Sequence, residues 1–328
     1  MKFDRRQILS LAGGLTATVA LPLPARSAPP LRITSVKMGS VSWLIETIQA
    51  EVLDKKHGLE LSVLEVATNQ AAPIALLAGE VDVTVSDWTW GLKQRSKGQD
   101  FKFASYSSAL GGVVVPKDST ITSLAALEGK TLGVAGSSND KSWLLMRAYS
   151  RKKLGKDIAE VCDTVFGAAP LITEEFKSGR LDACLNFWTF AARLVGQGSK
   201  QILTMAEVIK ELGIDPAPPL VGFIWSERAV AKSGAPIDAW LAAANEANEI
   251  LGKSDEAWVR LRPLVKPAND AEFASIIAAF REGITAPWSA ADTAGAERLT
   301  NLLVELGDME LVGDGTRFDP NLFYTRSG

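Results

Sequence analysis

Three tryptophans and a few small polar residues are the groups in this chain best suited to chemistry or recognition. Residues 81–91 read VDVTVSDWTWG and residues 181–191 read LDACLNFWTFA. Each stretch follows a helix-like run closed by a glycine, Gly79 or Gly179, so that Asp82 matches Asp182 and Trp88 matches Trp188. An indole offers a broad apolar face and one N–H donor, which suits either an interior or a binding cleft. Trp43 stands in GSVSW, directly after a glycine-serine turn. Asp87, Asn69 and Asn186 add polar groups where extended runs stop.

What is missing narrows the chemistry further. The chain has one histidine, His57, and two cysteines, Cys162 and Cys184, too few to expect a zinc site. No G-x-S-x-G elbow, H-E-x-x-H helix, phosphate-cradling G-x-x-x-x-G-K-[ST] loop or post-strand G-x-G-x-x-G occurs. Neither an enzyme nor a cofactor is expected. The formal net charge of -3 provides no basic field for nucleic acid. With 47% hydrophobic and 22% charged residues, the composition is that of a folded protein with a real core.

The elements that must position these residues read as two copies of one plan. LRITSVKMG, SVSWLIETIQAEVLDKKHG, LELSVLEVAT, NQAAPIALLAG and VDVTVSD alternate strand and helix as β-α-β-α-β. TLGVAG, DKSWLLMRAYSRKKLG, EVCDTVFG, PLITEEFKSG and LDACLNFW repeat the order. Such alternation predicts mostly parallel sheets covered by helices. FKFASYSSALGGVVVPKDS and PPLVGFIWSERAV look like strands crossing between the copies, and the rest of the chain is helical by its spacing. The expected organisation is one lobe of residues 29–112 plus 222–328 and a second of 113–221, joined by a hinge of two crossing segments. With the first strand of each lobe between the second and third, Cys162 and Cys184 stand about 9–10 Å apart. A disulfide tolerates about 7 Å, so both are expected to be free, buried thiols.

Ligands of open α/β sheets bind beyond the carboxyl ends of the strands. Here those ends are Gly39 to Trp43, Asn69-Gln70 and Asp87-Trp88 in the first lobe, and Gly136 to Asn139 and Asn186 to Trp188 in the second. If the lobes face each other, Trp43, Trp88 and Trp188 line one stacking pocket, although lobe packing has a claim on one of them. Ser40, Ser42, Ser137 and Ser138 stand where helix N-termini present free N–H groups to a ligand oxygen, or simply cap their helices. Asp87 either accepts from a ligand or caps the next helix. Trp90, Trp143, Phe187 and Trp225 are assigned to core or cleft wall.

The first 28 residues, with Arg5-Arg6, a weakly apolar run from Ile8 to Leu23 and small residues near 25–28, read as an export signal, with twin-arginine features. They direct the remainder to a periplasm.

Taken together, the export segment, ALLAGEVDVTVSD, a lobe crossing and SLAALEGKTLGVAG resemble the solute-binding proteins of the nitrate/taurine/alkanesulfonate type, in the SsuA/thiamine-pyrimidine-like group of type 2 periplasmic binding proteins. The resemblance spans nearly the whole chain after the export segment. It implies a two-lobed monomeric clamp that delivers a small solute to an ABC permease and ATPase at the inner membrane. It also implies ligand contacts from the Ser40–Trp43 loop, Asn69, Asp87, Trp88, Ser137, Ser138 and Trp188. The alternatives are an accessory protein using the clamp for a partner, and an enzyme related to thiamine-pyrimidine synthases. The latter lacks its clustered cysteines here.

Overall fold

The computed structural model describes residues 29–37, 39–305 and 317–325. The export signal read in residues 1–28 lies outside the described residues. The first half of the chain runs β1 (Leu31–Val36), α1 (Ser40–Ala50), α2 (Leu53–Lys56), β2 (Leu61–Val66), α3 (Ala71–Leu77), β3 (Thr84–Asp87), α4 (Trp88–Arg95) and β4 (Phe101–Ser107). It continues with β5 (Gly112–Val115), β6 (Thr131–Ala135), α5 (Lys141–Leu154), α6 (Ile158–Val161) and β7 (Asp163–Gly167). There follow α7 (Ala169–Lys177), β8 (Ala183–Asn186), α8 (Trp188–Gly196), β9 (Lys200–Thr204) and α9 (Met205–Glu211). The chain returns through β10 (Val221–Ser226) and α10 (Glu227–Ser233). It closes with α11 (Ile237–Lys253), α12 (Asp255–Val265), α13 (Asp270–Glu282) and α14 (Ala290–Glu305).

The strands form two sheets of one design. In the second, the order is β7-β6-β8-β5-β9, with β6 parallel to both neighbours and β5 antiparallel to β8 and β9. In the first, β1 pairs in parallel with β2, and β10 lies antiparallel between β3 and β4. A parallel bridge from Ile33 to Val83 joins these pieces into the order β2-β1-β3-β10-β4. Each sheet is thus completed by a strand from a crossing segment: β10 enters the first sheet and β5 the second. Gly111, at φ +100°, permits the second insertion, because a Cβ there would lie 2.1 Å from the Asn186 carbonyl oxygen.

The repeated Gly-x-x-Asp stretch is a structural staple. Gly79 and Gly179 turn the chain out of α3 and α7 at φ +73° and +77°, a region that costs glycine little. Asp82 then accepts from the backbone N–H of Arg32 at 3.0 Å and from its guanidinium at 2.7 Å. Asp182 accepts from the backbone N–H of Thr131 at 2.9 Å. Both aspartates therefore pin the approach to a third strand onto the first strand of its sheet.

The C-terminal helices bridge the two halves. α11 packs on α1, whereas α13 packs on α8 of the second sheet rather than lying with the first half alone. Arg193 of α8 is paired with the buried Glu272 of α13, and Ser275 donates to the Ala192 carbonyl at 2.7 Å. Gly196 keeps the approach close, since a Cβ would meet the Glu272 Cα at 2.5 Å.

Cys184 lies on β8, and Cys162 ends α6 just before β7, so it precedes the second strand instead of lying in it. Both are free and buried. Burial pushes the Cys162 thiol up to about 11 and the Cys184 thiol up to about 12.

Native protein is therefore expected to react with a thiol reagent at neither cysteine until unfolded, as a reagent titration with and without denaturant will read. Replacing Glu272 by Ala strands the Arg193 charge in a largely buried contact. The expected loss is about 3–5 kcal/mol in urea unfolding.

Candidate functional site

Two strand ends from different halves meet. Trp43 lies in the first turn of α1, and Trp188 is the first residue of α8. Their rings stand edge to face, centroids 5.9 Å apart at 88°. Phe280 of α13 lies 6.4 Å from Trp43 and 6.1 Å from Trp188, and Trp258 of α12 lies 5.8 Å from Trp43. Trp43 is 1% exposed, while Trp188 stays half-buried. Such edge-on ring pairs contribute about 0.5–1.5 kcal/mol beyond their buried area.

Trp88 is not part of this cluster. It is fully buried in a core cluster drawn from both halves, donates from Nε1 to the Pro219 carbonyl at 3.1 Å, and packs against Phe323. The expectation of a pocket lined by all three indoles is corrected accordingly. The reason is the C-terminal tail: Phe323 packs edge-on against Trp88, bridges to Phe103 and stacks on Trp288.

The polar residues divide in the same way. Asn186 is buried, with its amide donating to Thr173 Oγ1 at 2.9 Å and its carbonyl accepting from Phe187 N. It ties β8 to α7 from a buried position. Asp87 caps α4, accepting from Trp90 N at 2.9 Å and from the Thr89 hydroxyl. It also faces Lys141 of α5 at 3.9 Å, across the two halves.

Ser137, Ser138 and Asn69 lie on exposed loops. Ser138 does not cap α5. That role falls to Asp140, which accepts from Ser142 N at 2.9 Å. An acidic group thereby already occupies the N-terminal end of α5. Burial pushes the Asp140 carboxyl above its ordinary range, with the Asp87 charge adding to the rise against the opposing pull of Lys141.

The start of α1 is different. Its N-cap is Gly39, with no side-chain cap and no acidic residue in the first turn. Ser42 donates to the Gly39 carbonyl at 2.7 Å, and Ser40 accepts from the Tyr106 hydroxyl at 3.1 Å. This N-terminus keeps its partial positive charge.

Sequence reasoning missed Tyr106, Ser107, Asn248 and Phe280, which gather beside Ser40 and Trp43. They line a cavity of about 10 Å³ together with Gly283 and Ile284. Nothing in their local sequence marks them, because β4, α11 and α13 meet only in three dimensions.

With this geometry in view, the fold is that of the type 2 periplasmic binding proteins. The alkanesulfonate-binding protein SsuA from Xanthomonas axonopodis pv. citri, bound to MOPS, superposes with a TM-score of 0.70 at 18% identity. The match covers 91% of this chain and 99% of that one. The periplasmic aliphatic sulphonate binding protein SsuA from Escherichia coli gives 0.66 at 18% identity, over 89% and 98%. A DSZB C27S mutant in complex with biphenyl-2-sulfinic acid gives 0.57 at 15% identity, over 89% and 97%. Residues 55–249 match the family described as NMT1/THI5 like, and the chain belongs to that family. No curated protein matches the sequence.

The Asp140 shift has a signed consequence. Its folded-state value lies above the unfolded one, so the stabilising term is present in acid and is lost as pH rises through the folded value. Asp140→Asn keeps a capping side chain without the titration. Wild type is expected to lose stability relative to this variant between acid and neutral pH, as paired urea melts will measure.

Proposed function

We propose that the chain is the exported solute-binding component of an ABC importer, holding a small organic solute between two lobes. The lobes are residues 29–112 with 222–328 and residues 113–221, and the two crossing segments form the hinge. The observation that carries this reading is the meeting of Trp43 and Trp188, from helices that start at strand ends of different sheets. Ligands of such sheets sit at those ends. Hinge rotation that parts the halves frees the two indoles and the bare N-terminus of α1. Closure around a solute then exchanges ring–ring contact for ring–solute contact.

The solute features that suit these groups are an alkyl or flat body for the indoles and an oxygen acceptor for the α1 N–H groups. Ser40, Ser42, Trp43 and Trp188 are its proposed contacts. Sulfonates, which two similar proteins bind by name, have both features.

Delivery would take place in a periplasm, after removal of the Arg5-Arg6 leader near residues 25–28, to a permease and ATPase at the inner membrane. The chain works as a monomer and without catalysis. Its two thiols are buried and raised in pKa, and its one histidine is paired on the surface with Glu246 at 3.0 Å.

A thermal-shift screen of sulfonates, pyrimidines, amines and aromatic acids tests the reading. At least one class is expected to stabilise the protein and to change its tryptophan emission. Trp188→Ala is expected to weaken that binding by about 1–3 kcal/mol in calorimetry. Undiminished affinity in the variant would move the site away from the indole pair.

A further inference from the structure

The small cavity between β4, α11 and α13, walled by Phe280, holds a polar group without a partner. Asn248 is 9% exposed and lines the cavity, yet its Oδ1 has no hydrogen-bond partner. A buried acceptor left unpaired costs about 1–3 kcal/mol, so such atoms are rare and call for an explanation.

The neighbours define what the cavity accepts. Ser107 Oγ accepts from Ala109 N at 3.1 Å, which leaves its own hydroxyl proton free to donate. The Tyr106 hydroxyl is committed to Ser40, and burial pushes its pKa above the ordinary range, so it stays neutral. Phe280 and Ile284 supply apolar walls, and Gly283 keeps the backbone close, since a Cβ there would meet the Ser107 Oγ at 3.1 Å. No lining residue carries a charge. A charged group buried here would find no counter-ion and would pay a large desolvation cost. At about 10 Å³ the space suits one water-sized group.

We propose that this cavity is a subsite for one neutral hydrogen-bond donor of the bound solute, a hydroxyl or an amide N–H, received by Asn248 Oδ1. The inference rests on the solute-binding reading and sharpens it. The α1 N-terminus takes the oxygen-rich end of the solute, the indole pair grips its body, and the Asn248 cavity selects solutes that also bear a hydroxyl or an amide. The site thereby separates solutes of equal charge and nearly equal size. A cavity built to pair with a donor rejects the analogue lacking it, because its own acceptor is then left unpaired.

Matched probes test this by calorimetry and thermal shift: isethionate against ethanesulfonate, and benzamide against acetophenone. The expected result is a preference of about tenfold for the donor-bearing member of a pair. Asn248→Leu, close in volume and apolar, is expected to fold with a melting temperature no lower than wild type and to abolish the preference. Asn248→Ser, which keeps an acceptor, is expected to retain part of it and serves if the leucine variant is poorly folded. Equal binding of both members to wild type overturns the inference while leaving solute binding intact. A preference that survives in Asn248→Leu also overturns it, by putting the selection elsewhere. Binding of no probe to either protein overturns this inference together with the solute-binding reading on which it rests.

Discussion

Everything in this fold depends on the one antiparallel strand that each crossing segment adds to a sheet. β3 and β8 each carry backbone groups that must be paired on both sides once buried. Their own βαβ units pair only one side, against β1 and β6. The other side is filled by β10 and β5, which arrive from the crossing segments and run antiparallel. Val221 is thereby set opposite Asp87, and Gly112 opposite Asn186. Glycine permits close backbone approach on β10 and before β5, for a Cβ on Gly222 would lie 2.3 Å from the Ala104 oxygen of β4, and one on Gly111 would lie 2.1 Å from the Asn186 oxygen of β8. The same pairing fixes where each third strand stops, and hence where Trp88 and Trp188 begin their helices.

From that shared frame the two halves diverge through what covers them. α4 and α8 start alike, but the C-terminal tail closes over Trp88 with Phe323 and Trp288. α13 docks against α8 through Arg193–Glu272 and brings Phe280 beside Trp188 without burying it completely. One indole is fully buried and the other stays half-buried. The difference comes from contacts made at the far end of the chain.

The electrostatics are asymmetric too. α5 carries its own anion at its N-terminus in Asp140, next to Asp87 and Lys141. α1 begins on Gly39 with no acid in its first turn, and the Tyr106 hydroxyl donates to Ser40 beside it. The first half thus presents unpaired helix donors at the start of α1, and the second a carboxylate at the start of α5. The two strand-end regions therefore differ in charge although they share one plan.

The sequence by itself determined the repeating β-α-β-α-β order and the matching Gly-x-x-Asp openings at Gly79 to Asp82 and Gly179 to Asp182, and it pointed to free thiols at Cys162 and Cys184. The order and the openings follow from short-range physics, apolar periodicity and glycine at positive φ, whereas Cys162 precedes the strand on which the sequence spacing sets it. Tertiary structure alone decided that Trp43 and Trp188 share a contact while Trp88 does not, that Asp140 rather than Ser138 caps α5, and that Asn186 is consumed in holding α7. It alone gathered Tyr106, Ser107, Asn248 and Phe280. Burial and hydrogen-bond vacancy belong to a place where distant segments meet, and no local pattern in any one segment encodes what the others will cover.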